Sequence, residues 1–358
     1  MSKAADEPTT GESLPWLFSR RIDLWTFLGS AVLAITLVLL GIPLGIVNDD
    51  TPDWLWIGAV LMIDVAHVYA TGFRVYFDRT ELRRRPWLYG LTPLLAFLIG
   101  WAIHSESKTL FWRLLAYLAV FHFVRQQYGW VALYRSRESD SDRVGWWIDA
   151  TAIYLATIYP LLHWHANLPR TFWWFLEGDF AALPAELATY AAPIYWTALT
   201  LYAARSIYRG VARKQWNPGK DVVVATTAVC WYVGIVSFNS DYAFTVTNVI
   251  THGVPYMVLV YWYSWRTTKR NDTAQAHHVP RIAMFLGIVW ALAYAEELAW
   301  DCGYWHEHGW LFGSEWNLGI LESIVAPLLA VPQITHYVLD GFIWRRRSNR
   351  TFAEIVKL

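Results

Sequence analysis

Four histidines stand in stretches that are otherwise largely apolar: His67 in "LMIDVAHVYATGFRVYFDR", His122 in "AVFHFVRQQYGW", His252 in "TVTNVITHGVPYMV" and His336 in "PQITHYVLDGFIWRRR". Each has a polar companion at helical spacing. Asp64 precedes His67 by three, Gln126 follows His122 by four, Asn248 precedes His252 by four, and Asp340 follows His336 by four. On a helix such pairs lie side by side. A metal-bound imidazole donates its second ring N–H to a carboxylate or amide, which fixes its tautomer. The pattern therefore predicts a metal centre with His67, His122, His252 and His336 as ligands. Asp64 and Asp340 would orient them, complete the sphere or act in catalysis; Gln126 and Asn248 would support the bound group.

Histidines with carboxylates suit iron, copper or zinc. The two cysteines, Cys230 and Cys302, supply neither a disulfide framework nor a thiolate cage. Zinc hydrolysis would call for an HExxH motif or a serine nucleophile elbow, and neither is present. Iron ranks first, as a non-haem centre of an oxidoreductase or oxygenase acting on a lipid, polyene or quinone-like substrate. Haem b held by histidine pairs is the alternative cofactor. A transporter or proton-coupled channel with a histidine–carboxylate relay is the reading from another class, and interhelical hydrogen bonding is the plain structural one. Arg125 belongs either to the structure, as partner of Asp64, Asp340 or a helix carbonyl, or to the site, as an anchor for an anionic substrate group.

These residues must be positioned by membrane helices. Of 358 residues, 56% are hydrophobic and 16% charged, with 24 tryptophans and 20 tyrosines available for interfacial belts. A window of about 20 residues, the span of the hydrocarbon core, finds ten stretches: 24–47, 53–77, 87–104, 109–134, 144–163, 186–208, 221–238, 242–265, 281–300 and 317–344. The expectation is an all-α, polytopic bundle of about ten helices, with a tail over 1–23 and a basic tail over 345–358. Arginine and lysine concentrate in alternate connections, around Arg79–Arg85, Arg135–Arg143, Arg205–Lys220, Arg266–Arg281 and Arg345–Lys357, whereas the other face carries turns such as "NDDTPD". The positive-inside rule then makes both termini cytoplasmic. All four histidines fall on even-numbered spans, roughly 9 to 14 residues before a cytoplasmic arginine, which places them within about 8 Å in depth.

Other polar residues invite simpler readings. Arg74 is near enough to the interface to snorkel. Glu296 and Glu297 suit a solvated helix end, and Asp149 and Glu322 remain ambiguous. "HWH" (His163, His165) and "HEH" (His306, His308) could each chelate a metal if extended; His104, His277 and His278 suit hydrated positions. "RTFWWFLEGDF" suits an interfacial aromatic segment. With 29 basic and 29 acidic residues the chain offers no nucleic-acid signature, so its partners are membrane lipids and a hydrophobic small molecule.

"DVAHVYATGFRVYFDR", "FHFVRQQYGW" and "THYVLDGFIWRRR" resemble segments of a group of uncharacterised multi-pass bacterial membrane proteins, which implies a bacterial inner membrane and no particular reaction. In architecture alone the chain is distantly similar to the Brp/Blh-type carotene dioxygenases, whose iron is held by histidines on several helices. It lacks the HxxxH and HxxHH boxes of membrane fatty-acid desaturases.

Overall fold

A computed structural model describes residues 15–138, 142–271, 278–345, 349 and 352. The expected terminal stretches before residue 15, together with His277, Arg346, Arg347, Arg350 and Lys357, lie outside the described residues. Among the described residues all regular secondary structure is helical, without strands. Its long helices are α1 Arg20–Leu44, α2 Asp53–Arg74, α3 Pro86–Glu106, α4 Lys108–Arg135, α5 Arg143–Ala166, α6 Glu186–Arg213, α7 Pro218–Ser237, α8 Asp241–Arg266, α9 Pro280–Trp305 and α10 Gly319–Ile343.

Local chemistry sets the ends of these helices. Ser107 accepts from Leu110 N at the start of α4, Asp142 from Val144 N at α5, Asn217 from Lys220 N at α7 and Ser240 from Ala243 N at α8. Each satisfies an amide that the first turn leaves unpaired. Pro86 and Pro218 occupy first-turn positions that need no donor. Gly45, at φ 75°, closes α1 in the left-handed conformation that glycine adopts without strain.

Seven helices, α1, α2, α3, α7, α8, α9 and α10, are long and apolar enough to cross a membrane, which marks a multi-pass integral membrane protein. The expected count of about ten is higher than this. Helices α4, α5 and α6 have the length, at 28, 24 and 28 residues, but their polar side chains keep them out of that apolar set. Leu39 and Ile42 on α1, Ile99 on α3 and Ile194 on α6 point outward, as lipid-facing side chains do.

The polar groups of α4 to α7 meet in a buried charge network. Asp149 accepts from Arg135 at 2.5 Å, Lys220 at 2.8 Å and Arg205 at 3.4 Å, while Glu138 accepts from Lys220 at 2.6 Å and Arg209 at 2.9 Å. Asp149 is thus a structural tie between helices. Arg74 does not snorkel. It is fully buried, 3.2 Å from Glu81 on the short helix Arg79–Arg84, donates to the Ile343 carbonyl and lies 4.2 Å over the Tyr263 ring. Burial alone would raise the Glu81 carboxyl, but the Arg74 charge, the Tyr89 hydroxyl and Arg84 outweigh it and hold the group below its usual value. Asn349 and Phe352 are also buried, Phe352 against Trp344 and the cluster that contains Leu17, so close packing continues past residue 345.

Helix α8 packs on α2, and α10 packs on α2, α3 and α4. That arrangement brings the four histidine-bearing helices around one point.

Candidate metal centre

His67, His122, His252 and His336 are all buried, between 1% and 3% exposed. Their rings form a closed square. Going round it, centroid distances are 4.7 Å from His67 to His252, 5.1 Å to His122, 4.5 Å to His336 and 4.9 Å back to His67, with 6.5 Å across the His67–His122 diagonal. Neighbouring rings stand steeply to one another, at 89°, 86°, 64° and 83°. The Nε2 atoms of His67 and His252 are 3.1 Å apart, and so are those of His122 and His336. Ligand atoms of His67, His122 and His336 all lie within 4.8 Å of one another, so this group could hold a metal ion. Two nitrogens bound to one ion at about 2.0–2.1 Å are separated by about 2.9–3.4 Å when the angle between them is near 90–110°. The observed 3.1 Å pairs fall inside that interval.

The outer ring nitrogens meet a different set of partners from the expected one. Asp340 is not the partner of His336. Its Oδ2 lies 3.7 Å from His122 Nδ1, and its Oδ1 accepts from Trp344 Nε1 at 2.5 Å. His336 Nε2 faces the other nitrogen of the same His122 ring. The two α10 residues therefore clasp one imidazole from α4 between them. His336 Nδ1 hydrogen-bonds Thr71 Oγ1 at 2.7 Å, and that hydroxyl pairs with Tyr256 OH at 3.0 Å. Asp64 does stand by His67, with its Oδ1 3.6 Å from Nδ1.

Thr71 and Tyr256 carry no conspicuous sequence motif, although Thr71 follows His67 by one helical turn and shares its face. Phe123 and Tyr337 likewise carry no distinctive signal in the sequence, yet Phe123 stacks on His252 at 3.6 Å and 7°, and Tyr337 on His122 at 4.8 Å.

The two amides behave otherwise. Asn248 donates to Thr247 Oγ1 at 3.0 Å, and neither its Oδ1 nor His252 Nδ1 has a partner among the described residues. The expected four-residue pairing fails for a geometric reason: Thr245–Val249 is wound as a π-type turn, which alters the register just ahead of His252. Gln126 is buried on α4 with its amide oxygen and nitrogen both unpaired among the described residues, while neighbouring Gln127 accepts from Thr227 at 3.0 Å. Buried polar atoms of this kind are rare in folded proteins, and several collect on the helices bearing the square.

Arg125 lies elsewhere. It is exposed on the outer side of α4, donates to Tyr154 OH on α5 and sits 4.9 Å over the Tyr128 ring. Neither Asp64 nor Asp340 pairs with it. No family model, no curated protein and no solved structure matches this chain. The square of imidazoles is therefore read on its own geometry.

Several simpler expectations also change. Glu296 is buried, not at a solvated end, and accepts from Trp300 Nε1 at 3.1 Å; His104 is buried as well, at 2% exposure. His163 and His165 lie in the last turn of α5, where alternate residues diverge, so the extended-strand chelate does not form. His165 bonds the Leu161 carbonyl and Tyr117, and His308 stacks on Trp56. The aromatic segment 171–180 turns inward: Phe172 and Phe180 are buried, and Trp174 packs 4.9 Å from Phe123, directly behind His252.

Proposed function

We propose that this is a membrane metalloprotein in which His67, His122, His252 and His336 hold one ion, with iron first in rank, and that it oxidises a hydrophobic substrate with dioxygen. The observation that carries this reading is the closed square with its two 3.1 Å Nε2 pairs. Iron held by these four imidazoles would supply redox chemistry and dioxygen activation, which imidazoles alone do not. Thr71 Oγ1, 2.7 Å from His336 Nδ1, and the Asp340 carboxylate, 3.7 Å from His122 Nδ1, stand where they would steady these two imidazoles with Nε2 turned to the ion. Phe123 and Tyr337 keep the imidazole faces dry.

Haem b is less favoured. A porphyrin between two axial imidazoles keeps their nitrogens two metal–ligand bonds apart, about 4 Å, and the paired nitrogens here are closer, at 3.1 Å. A hydrophobic substrate is supported by an apolar groove of about 310 Å³ between α3, α4 and α10, lined by Leu95, Ile99, Leu118, Ile334 and Val338. Its last two residues flank His336 in sequence.

Detergent-purified protein is expected to carry about one iron per chain and no Soret band. Protein that purifies without metal and keeps its fold in chelator would replace this reading with the proton relay.

The same proposal includes ten spans in a bacterial inner membrane with both termini cytoplasmic, supported by the alternation of basic connections. Single cysteines placed near Arg84 and Lys214 are expected to resist an impermeant external thiol reagent, and those near Asn167 and Gly309 to react. The opposite pattern would invert the orientation.

A further inference from the structure

A second cavity, again of about 310 Å³, lies on the face opposite the arginine-rich connections. Its rim is built from Thr51, Asp241 and Glu307, at the start of α2, the start of α8 and just past α9. Asp64, Phe123 and Tyr337 line the cavity as well. These are the residues that stand against the square: Asp64 is 3.6 Å from His67 Nδ1, Phe123 is stacked on His252 and Tyr337 on His122. The cavity therefore joins one face of the bundle to the layer just outside the imidazoles.

Its ionisable lining is acidic apart from His308, which stands 3.6 Å from Asp301. Among the lining residues, Asp64, Asp241, Glu297, Asp301 and Glu307 are carboxylates, and none is lysine or arginine. Asp241 and Asp301 are partly engaged by backbone amides, Thr51 N at 2.8 Å and His308 N at 2.7 Å. Glu297 lies further in and Glu307 at the exposed rim, so acidic groups recur from the mouth to Asp64. Tryptophans 56, 112, 173, 174, 300 and 305 form much of the remaining wall. Carboxylates against low-dielectric walls focus the field along a cleft and raise the local concentration of counter-ions. At its inner end His67 Nδ1, on a ring 2% exposed, makes no hydrogen bond among the described residues, with the Asp64 carboxylate 3.6 Å away.

We infer that this vestibule is the access route by which a hydrated divalent cation reaches the histidine square from the arginine-poor face, Asp64 being the last carboxylate on the way. The inference rests on the metal centre proposed above. Transit breaks no covalent bond: the cation exchanges water for carboxylate oxygen and finally for imidazole nitrogen. The bound state is set by the histidines, so the vestibule acts on the rate of loading and leaves the final occupancy alone.

The test uses full-length protein in lipid nanodiscs, stripped with chelator and mixed with Co²⁺, whose visible absorption reports imidazole coordination. Glu297→Gln and Glu307→Gln are each expected to slow loading about 3–10-fold, a share of the 10–10³-fold rate effect of focused fields, with unchanged final cobalt per chain. The salt dependence of the rate should flatten in both. Glu307→Cys, at an exposed position, should load more slowly after a cationic thiosulfonate is attached than after an anionic one. Loading rates and salt slopes equal to wild type, with full cobalt uptake, would overturn the route alone. A wild-type protein that takes up no cobalt would overturn the histidine centre and the route together.

Discussion

Replacing His122 or His336 with alanine is expected to remove most of the bound metal from a protein that still inserts and keeps its helical content. The two residues face one another through Nε2 atoms 3.1 Å apart, each from a different helix, so either substitution removes one corner of the square. Groups that only orient a ligand typically cost about 10–100-fold in affinity when lost, and losing the ligand itself should exceed that. The helices do not depend on the ring for their hydrogen bonds, and α10 is anchored independently by Leu339 and Ile343 in a separate apolar cluster. Elemental analysis of the purified variants beside wild type measures the effect. Wild-type metal content in both variants would return the histidines to ordinary interhelical packing.

The second large effect is expected outside the square, in the contrast between Asp340→Asn, Asp340→Leu and Thr71→Val. Asn retains an oxygen to face His122 Nδ1, now 3.7 Å from the carboxylate, whereas Leu offers nothing to that nitrogen. Val at position 71 keeps the branched shape but removes the hydroxyl that bonds His336 Nδ1 at 2.7 Å and Tyr256 OH at 3.0 Å. Asp340→Leu and Thr71→Val should therefore weaken metal binding about 10–100-fold, with Asp340→Asn and Thr71→Ser close to wild type. Competition against a chelator of known affinity reads this directly. Equal affinity across the series would remove both residues from any part in holding the imidazoles.

How much of this was legible in the sequence depends on how far each signal travels along the chain. The convergence of four histidines could be read from helix direction and depth, because both follow from apolar length and the distribution of arginine. Asp64 beside His67 could be read because it needs only one turn of one helix. Asp340 departs from its sequence pairing for the complementary reason. Spacing places it on the His336 face but says nothing about the ring from α4 that enters between them. Asn248 was lost to a local change of winding that no apolar period reveals. Arg74 and Glu296 were read by the cost of their own charge, and both find partners, in Glu81, Trp300 and Gln333, that lie on other turns or other helices. Arg125 shows the reverse. A charge in mid-span suggested the interior, yet its side of α4 faces out and Tyr154 on α5 receives it.

The corners of the square leave the ribosome far apart in time. α2 and α4 are made and inserted while the residues that complete the set are still untranslated, and His336 follows only after nine long helices precede it among the described residues. A nascent chain can present His67 and His122 early, but two imidazoles on unjoined helices hold an ion weakly. An ion held by all four imidazoles would therefore be retained only once the tenth long helix among the described residues has joined the others, and its capture would mark, chemically, that step of assembly.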